Sequence, residues 1–132
     1  MMRPLRLLRL WQFLGLLGVC VLIQQSLTPS PAVEMELPGG DKLLHFSAYA
    51  TLMLWFGFIY LPGKAYLKIG AGLILIGVTM EILQGTTGYR SFEYPDLICN
   101  FLGVIAGWLF ARTRLSMALI HFERVPAHLK RW

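Results

Sequence analysis

The residues of this chain best equipped for chemistry are Asp41, Lys42 and His45, then Glu81, Gln84 and Arg90, then Asp96 and Asn100. Carboxylates beside an imidazole can exchange a proton, and an ammonium with a guanidinium can hold an anionic phosphate. Their spacing is helical. At about 100° per residue, Asp41, His45 and Tyr49 fall on one stripe, with Lys42 at its edge. Gly70, Gly77, Glu81 and Gln84 form a second stripe, and Asp96, Asn100, Gly103 and Gly107 a third. Three helices that turn these stripes together would enclose one polar pocket. The glycines would let their backbones approach, Gly103-x-x-x-Gly107 being a common small-residue spacing.

The elements that must carry the stripes are membrane spans. Hydrophobic residues make up 56% of the 132-residue chain and charged ones 14%, and the mean hydropathy is +0.59. Four runs, at 10–27, 43–61, 67–84 and 97–111, approach the roughly 20 apolar residues that cross a bilayer. The fold class expected is all-α: a four-transmembrane-helix bundle. The last run is short, with Phe92, Tyr94, Arg112 and Arg114 as its interfacial anchors. The first run could alternatively be a cleaved signal peptide, but it is longer than the usual apolar core of about 7–15 residues, so a retained span is expected. Cys20 and Cys99 both fall inside spans and read as small apolar residues rather than a disulfide.

Charge orients the helices. Arg3, Arg6, Arg9, Lys64, Lys68, Arg112, Arg114, Arg124, Lys130 and Arg131 fall on one side of a four-span chain. Only Lys42 and Arg90 fall on the other, together with six of the seven acids: Glu34, Glu36, Asp41, Glu81, Glu93 and Asp96. The basic side should be cytoplasmic, which places both termini inside and the polar stripes at the outer ends of their helices. Residues 1–9 read as a basic cytoplasmic N-terminus, 10–111 as the membrane domain and 112–132 as a basic cytoplasmic tail. In that tail Leu115, Ala118, Leu119 and Phe122 have the spacing of an amphipathic interfacial helix that Pro126 ends, and His121 reads as a solvated side chain. The membrane pattern accounts for the basic residues, so nucleic acid is not an expected partner.

The sequence DKLLHFSAY at 41–49 resembles the opening motif of the VanZ-like membrane protein family. Glu81-x-x-Gln84, Arg90, and then Asp96-x-x-x-Asn100-x-x-Gly103 are similar to the rest of that family's pattern, in order and spacing. The resemblance covers roughly Asp41 to Gly107, with the first span and basic tail outside the motif. It implies a bacterial plasma-membrane protein. The family's founding member is associated with resistance to the glycopeptide antibiotic teicoplanin, so a link to glycopeptide susceptibility is implied here without a defined biochemical activity.

Local roles compete with functional ones. Asp41 follows ProGlyGly and Asp96 follows Pro95, where aspartate serves well as a helix N-cap. Lys42 can snorkel, and Tyr49 and His45 can be interior packing. Glu81 is different: it lies at the C-terminal end of its helix, where the dipole disfavours negative charge. It therefore calls for Arg90, Lys42, His45 or a proton.

Three functions follow. The first is binding of an envelope lipid or similar anionic ligand, through Asp41, Lys42, His45, Glu81, Gln84, Arg90, Asp96 and Asn100. The second is a membrane enzyme on a lipid-linked phosphate headgroup, with His45, Glu81 and Asp96 as catalytic candidates. The chain contains no GxSxG, HExxH or P-loop sequence. The third is a structural or partner-binding protein whose polar cluster locks the helices together. A metal site of His45, Glu81 and Asp96 would suit zinc, manganese or iron. Its ligands come from three helices, so spacing gives it no support, and no metal or cofactor is expected. A transporter or channel is disfavoured because the inner halves of the spans carry almost no polar side chains.

Overall fold

The computed structural model describes residues 1–29 and 39–123. Glu34 and Glu36, and Arg124, Pro126, Lys130 and Arg131, lie outside the described residues. Among the described residues four long helices follow one another: α1 at Leu8–Leu27, α2 at Gly40–Ile59, α3 at Lys64–Gln84 and α4 at Tyr94–Phe110. A 3-10 turn at Arg114–Met117 and a short helix, α5, at Ala118–Glu123 follow. No strand occurs among these residues, only one isolated bridge between Met2 and Tyr60.

Each helix begins and ends for a local reason. Gly39, at φ 79°, turns the chain into α2, and Pro62 and Gly63 separate α2 from α3. Pro95 occupies the first turn of α4, where a missing N–H costs nothing. Helices α1, α2 and α3 are each long and apolar enough to cross a membrane. At 17 residues, α4 is about 25 Å long, slightly under the thickness of a hydrocarbon core. The segment 114–123 does not extend it, because the chain bends there by 71°.

The described part of the tail, residues 114–123, is therefore not one continuous amphipathic helix. The Leu115 amide donates to the Thr113 side chain and Ser116 Oγ to the Thr113 carbonyl, which favours a tight 3-10 turn before α5. Leu119 packs inward while Phe122 stays exposed.

The bundle sorts its residues by end. At one end Arg3 donates to the Gly57 carbonyl and to Ser116 Oγ, Gln12 donates to Tyr60, and Tyr66 to the Met53 carbonyl. Arg3, Arg6, Lys64, Arg112 and Arg114 belong to this end. At the other end lie the start of α2, the end of α3 and the start of α4. Phe13, Leu16, Leu43, Leu67, Leu75, Ile98, Leu109 and Phe110 point outward, as lipid-facing side chains do. Tyr49, Met53, Ile59, Tyr66, Leu73 and Val104 fill the interior.

The closest approach is between α2 and α4. A Cβ at Gly103 would run into the Phe46 carbonyl oxygen, and one at Gly107 into that of Ala50. These two glycines allow α4 to lie directly on the α2 backbone. That approach brings the first turns of α2 and α4 side by side at the polar end.

Candidate functional site

Lys42 sits among three carboxylates. Its Nζ is 2.9 Å from Asp41 Oδ2, 2.9 Å from Glu93 Oε2 and 3.1 Å from Asp96 Oδ1. Asp96 is buried, while Lys42 and Glu93 are partly open to the end of the bundle. Neither Asp41 nor Asp96 caps its helix, because Gly39 and Glu93 occupy those positions and no side-chain capping bond forms. Both aspartates lie instead in the first turn, where the helix dipole favours a carboxylate, and each sets one oxygen against Lys42.

His45 lies one turn below Asp41. Its Nδ1 is 3.1 Å from Asn100 Oδ1, and its Nε2 is 3.6 Å from Asp96 Oδ2. An amide oxygen only accepts, so Nδ1 carries the proton in this pair. Glu81 is fully buried between α3 and the start of α4. One of its oxygens, Oε2, accepts from the Glu93 backbone N–H at 3.3 Å, while Oε1 has no hydrogen-bond partner. The charge of Arg90 also acts on Glu81.

One turn further in, Gly77 faces Tyr49 and Asn100. A Cβ there would stand 3.3 Å from both the Tyr49 hydroxyl and Asn100 Nδ2, and neither of those buried atoms has a hydrogen-bond partner. The three helices thus bring His45, Glu81 and Asp96 together, with one donor atom from each lying within 4.8 Å of the others. Separation along the sequence conceals this convergence, which only the packing of α2, α3 and α4 creates.

Gln84 takes a different path. Its Nε2 donates to the Ser26 carbonyl of α1 at 2.6 Å, and Tyr89 donates to Leu27 at 2.6 Å. Both tie the α3–α4 loop to the end of α1 and leave the carboxylate cluster to the other residues. Gly70 lies deeper, against Met53.

Beside the cluster, between α1 and α2, is a cavity of about 680 Å³. Val21, Leu22, Leu44, Ala48 and Leu52 give it apolar walls, while Asp41, His45 and Arg90 meet its polar end. A smaller cavity of about 340 Å³ runs along the α3–α4 loop past Arg90 and Glu93. Sequence reasoning had no means of finding the larger cavity, since α1 carries no charged stripe. It also passed over Glu93 as a ligand of Lys42 and Gln25 as a wall residue. Of these, only Glu93 left a signal, an acid three residues before Asp96.

The sequence pattern of the family described as VanZ/LLP1 matches residues 7–119. The chain belongs to this family. The VanZ/LLP1 match reaches well beyond the Asp41–Gly107 motif and takes in α1 and most of the described tail, so both are part of the family's unit. No curated protein and no solved structure matches the chain. Family and apolar helices together make this a VanZ-like membrane protein.

Proposed function

We propose that this protein binds an envelope lipid, or a lipid-linked precursor with a phosphate headgroup, in the bacterial plasma membrane. The observation that carries the reading is the cavity between α1 and α2. It is apolar along the helices and polar at one end, where Asp41, His45 and Arg90 meet it. Val21 and Leu44 on its walls are also exposed on the outside of the bundle, so a hydrocarbon chain has an entrance from the bilayer. The headgroup then lies between His45 and Arg90, whose guanidinium suits phosphate. Lys42, already surrounded by three carboxylates, holds the rim together rather than the ligand.

Orientation follows from charge. The described basic residues at the Arg3–Ser116 end outnumber Lys42 and Arg90 at the other, which supports cytoplasmic termini and an outward-facing site. The tail segment 114–123 then lies along the inner surface. In this setting an effect on glycopeptide susceptibility would run through the supply or exposure of a lipid-linked envelope precursor.

Native mass spectrometry of gently extracted protein tests the proposal. Wild type should retain a phosphate-bearing lipid, and Ala48→Trp, which fills the cavity from α2, should lose it while its helical circular dichroism is unchanged. Equal retention by both proteins would refute binding in this cavity.

A second reading is favoured by the Lys42 arrangement: the polar cluster ties α2, α3 and α4 together and the protein serves a partner. In that case wild type retains no lipid, and Glu81→Gln weakens the bundle without changing any ligand.

A further inference from the structure

We infer that His45, Glu81 and Asp96 form a binding site for one divalent transition-metal ion, Zn²⁺ or Mn²⁺. The inference shares His45 with the lipid cavity but rests on other partners, Glu81 and Asp96. Three observations converge on it.

The first is the donor set. One imidazole and two carboxylates, each from a different helix, place one ligand atom apiece within 4.8 Å of one another. Two ligands each about 2.1 Å from a tetrahedral ion stand roughly 3.4 Å apart. His45 Nε2 and Asp96 Oδ2, at 3.6 Å, are close to that spacing. Imidazole with carboxylates suits Zn²⁺ or Mn²⁺ and is a poor set for Mg²⁺, which prefers oxygen and keeps its waters.

The second is the orientation of the ring. Nδ1–H donates to Asn100 Oδ1, so the lone pair of neutral His45 lies on Nε2 and faces the Asp96 carboxylate. Two acceptors at that distance call for a positive charge between them, a proton on the ring or a bound cation. An ion held there satisfies both, and Asn100 acts as the outer partner that fixes the tautomer of a metal-binding histidine.

The third is polar capacity left over nearby. Glu81 is fully buried with Oε1 unpartnered, and one turn deeper the Tyr49 hydroxyl and Asn100 Nδ2 are buried and unpartnered as well. Four carboxylates, Asp41, Glu81, Glu93 and Asp96, gather around the single ammonium of Lys42 within the field of Arg90, a setting that attracts a cation.

The test uses the full chain in lipid nanodiscs, stripped with a chelator and then titrated with Zn²⁺ or Mn²⁺ alone. Bound metal is read by elemental analysis after removal of free ion. Wild type should take up one ion per chain at micromolar free metal, and His45→Gln and Asp96→Asn should abolish that uptake. Asn100→Ala should weaken it about 10–100-fold, while Glu123→Gln, at the opposite end, should leave it unchanged. Wild type that binds no stoichiometric ion overturns the site, as does uptake that survives both ligand substitutions. A doubly protonated His45 ring, seen by nitrogen NMR in the metal-treated protein, would likewise show that a proton takes the ion's place. Lipid retention by wild type is read separately, so failure of the metal site and failure of the lipid cavity are distinguishable.

Discussion

At Lys42 a single ammonium stands against Asp41, Glu93 and Asp96, and removing it would leave the buried Asp96 carboxylate without its cation. Losing one partner of a buried pair costs about 3–5 kcal/mol, whereas an exposed pair is worth at most about 1 kcal/mol. Lys42 and Glu93 are partly exposed, so Lys42→Met should destabilise the bundle by an intermediate amount, about 1–3 kcal/mol. Lys42→Arg should restore most of it. Thermal unfolding in detergent checks both, and an unaltered midpoint for Lys42→Met would remove the structural role. The residues of the cluster were legible in the sequence because helical spacing put them on stripes and helix ends put them at one depth. Their partners were not. Gln84 shares a stripe with Glu81 yet bonds to Ser26, because the end of α1 packs against that side of α3 and offers an uncapped carbonyl. Direction from a helix axis is set by local periodicity, but what a side chain meets there is set by the neighbouring helix.

The elements themselves rest on close backbone contact, and here glycine replacements separate packing from propensity. A methyl at Gly103 would collide with the Phe46 carbonyl oxygen and press on Tyr49 Cβ. Overpacking of this kind typically costs about 1–3 kcal/mol, so Gly103→Ala should lower the melting temperature clearly. At Gly72, in the middle of α3, nothing lies within 4 Å of the position a Cβ would take. Gly72→Ala should therefore be neutral or stabilising by up to about 1 kcal/mol, since alanine favours the helix and restricts the unfolded chain. Paired thermal melts decide it, and equal shifts for the two variants would contradict the direct seating of α4 on α2. The four long helices were readable from apolar runs separated by proline and glycine. Their starts lie about three residues earlier than the apolar runs in α2, α3 and α4, because polar first turns belong to the helix as much as apolar ones do. The break after α4 was not readable: Leu115, Ala118, Leu119 and Phe122 have helical spacing, but Thr113 and Ser116 favour a 3-10 turn and Arg3, from the far end of the sequence, holds Ser116 in it.

On the scale of the whole molecule the two ends of the described chain close on each other, away from the polar site. Glu123 accepts hydrogen bonds from the backbone N–H groups of Arg6 and Leu7 and, at 2.6 Å, from the indole of Trp11, whose ring also meets Phe122 edge to face. Arg3 reaches the Gly57 carbonyl and Ser116 in the same region. All of these contacts except Arg3–Gly57 join residues more than a hundred positions apart, so no local pattern announced them, and residues 3–7 serve as a packed strap rather than a free basic arm. Desolvation pushes the Glu123 carboxyl up, but the donors from Trp11, Leu7 and Arg6 outweigh it and hold its pKa below the ordinary value. A carboxyl depressed on folding adds stability that is fully present above its unfolded pKa, about 4.3 for glutamate. That contribution is lost as pH falls through the lower, folded value. The strap should thus stay closed through the neutral range and open only in acid, while Glu123→Gln should weaken it already at neutral pH. Trp11 reports the event: its emission should change below the carboxylate range in wild type and already be shifted at neutral pH in Glu123→Gln, with Trp11→Phe identifying its share of the signal. An acid transition of the same size in Glu123→Gln would assign the titration to another group. Because the strap fixes α1 against α2 at one end, opening it should also loosen the cavity these helices enclose, and lipid retention by Glu123→Gln at neutral pH should fall below that of wild type without disappearing.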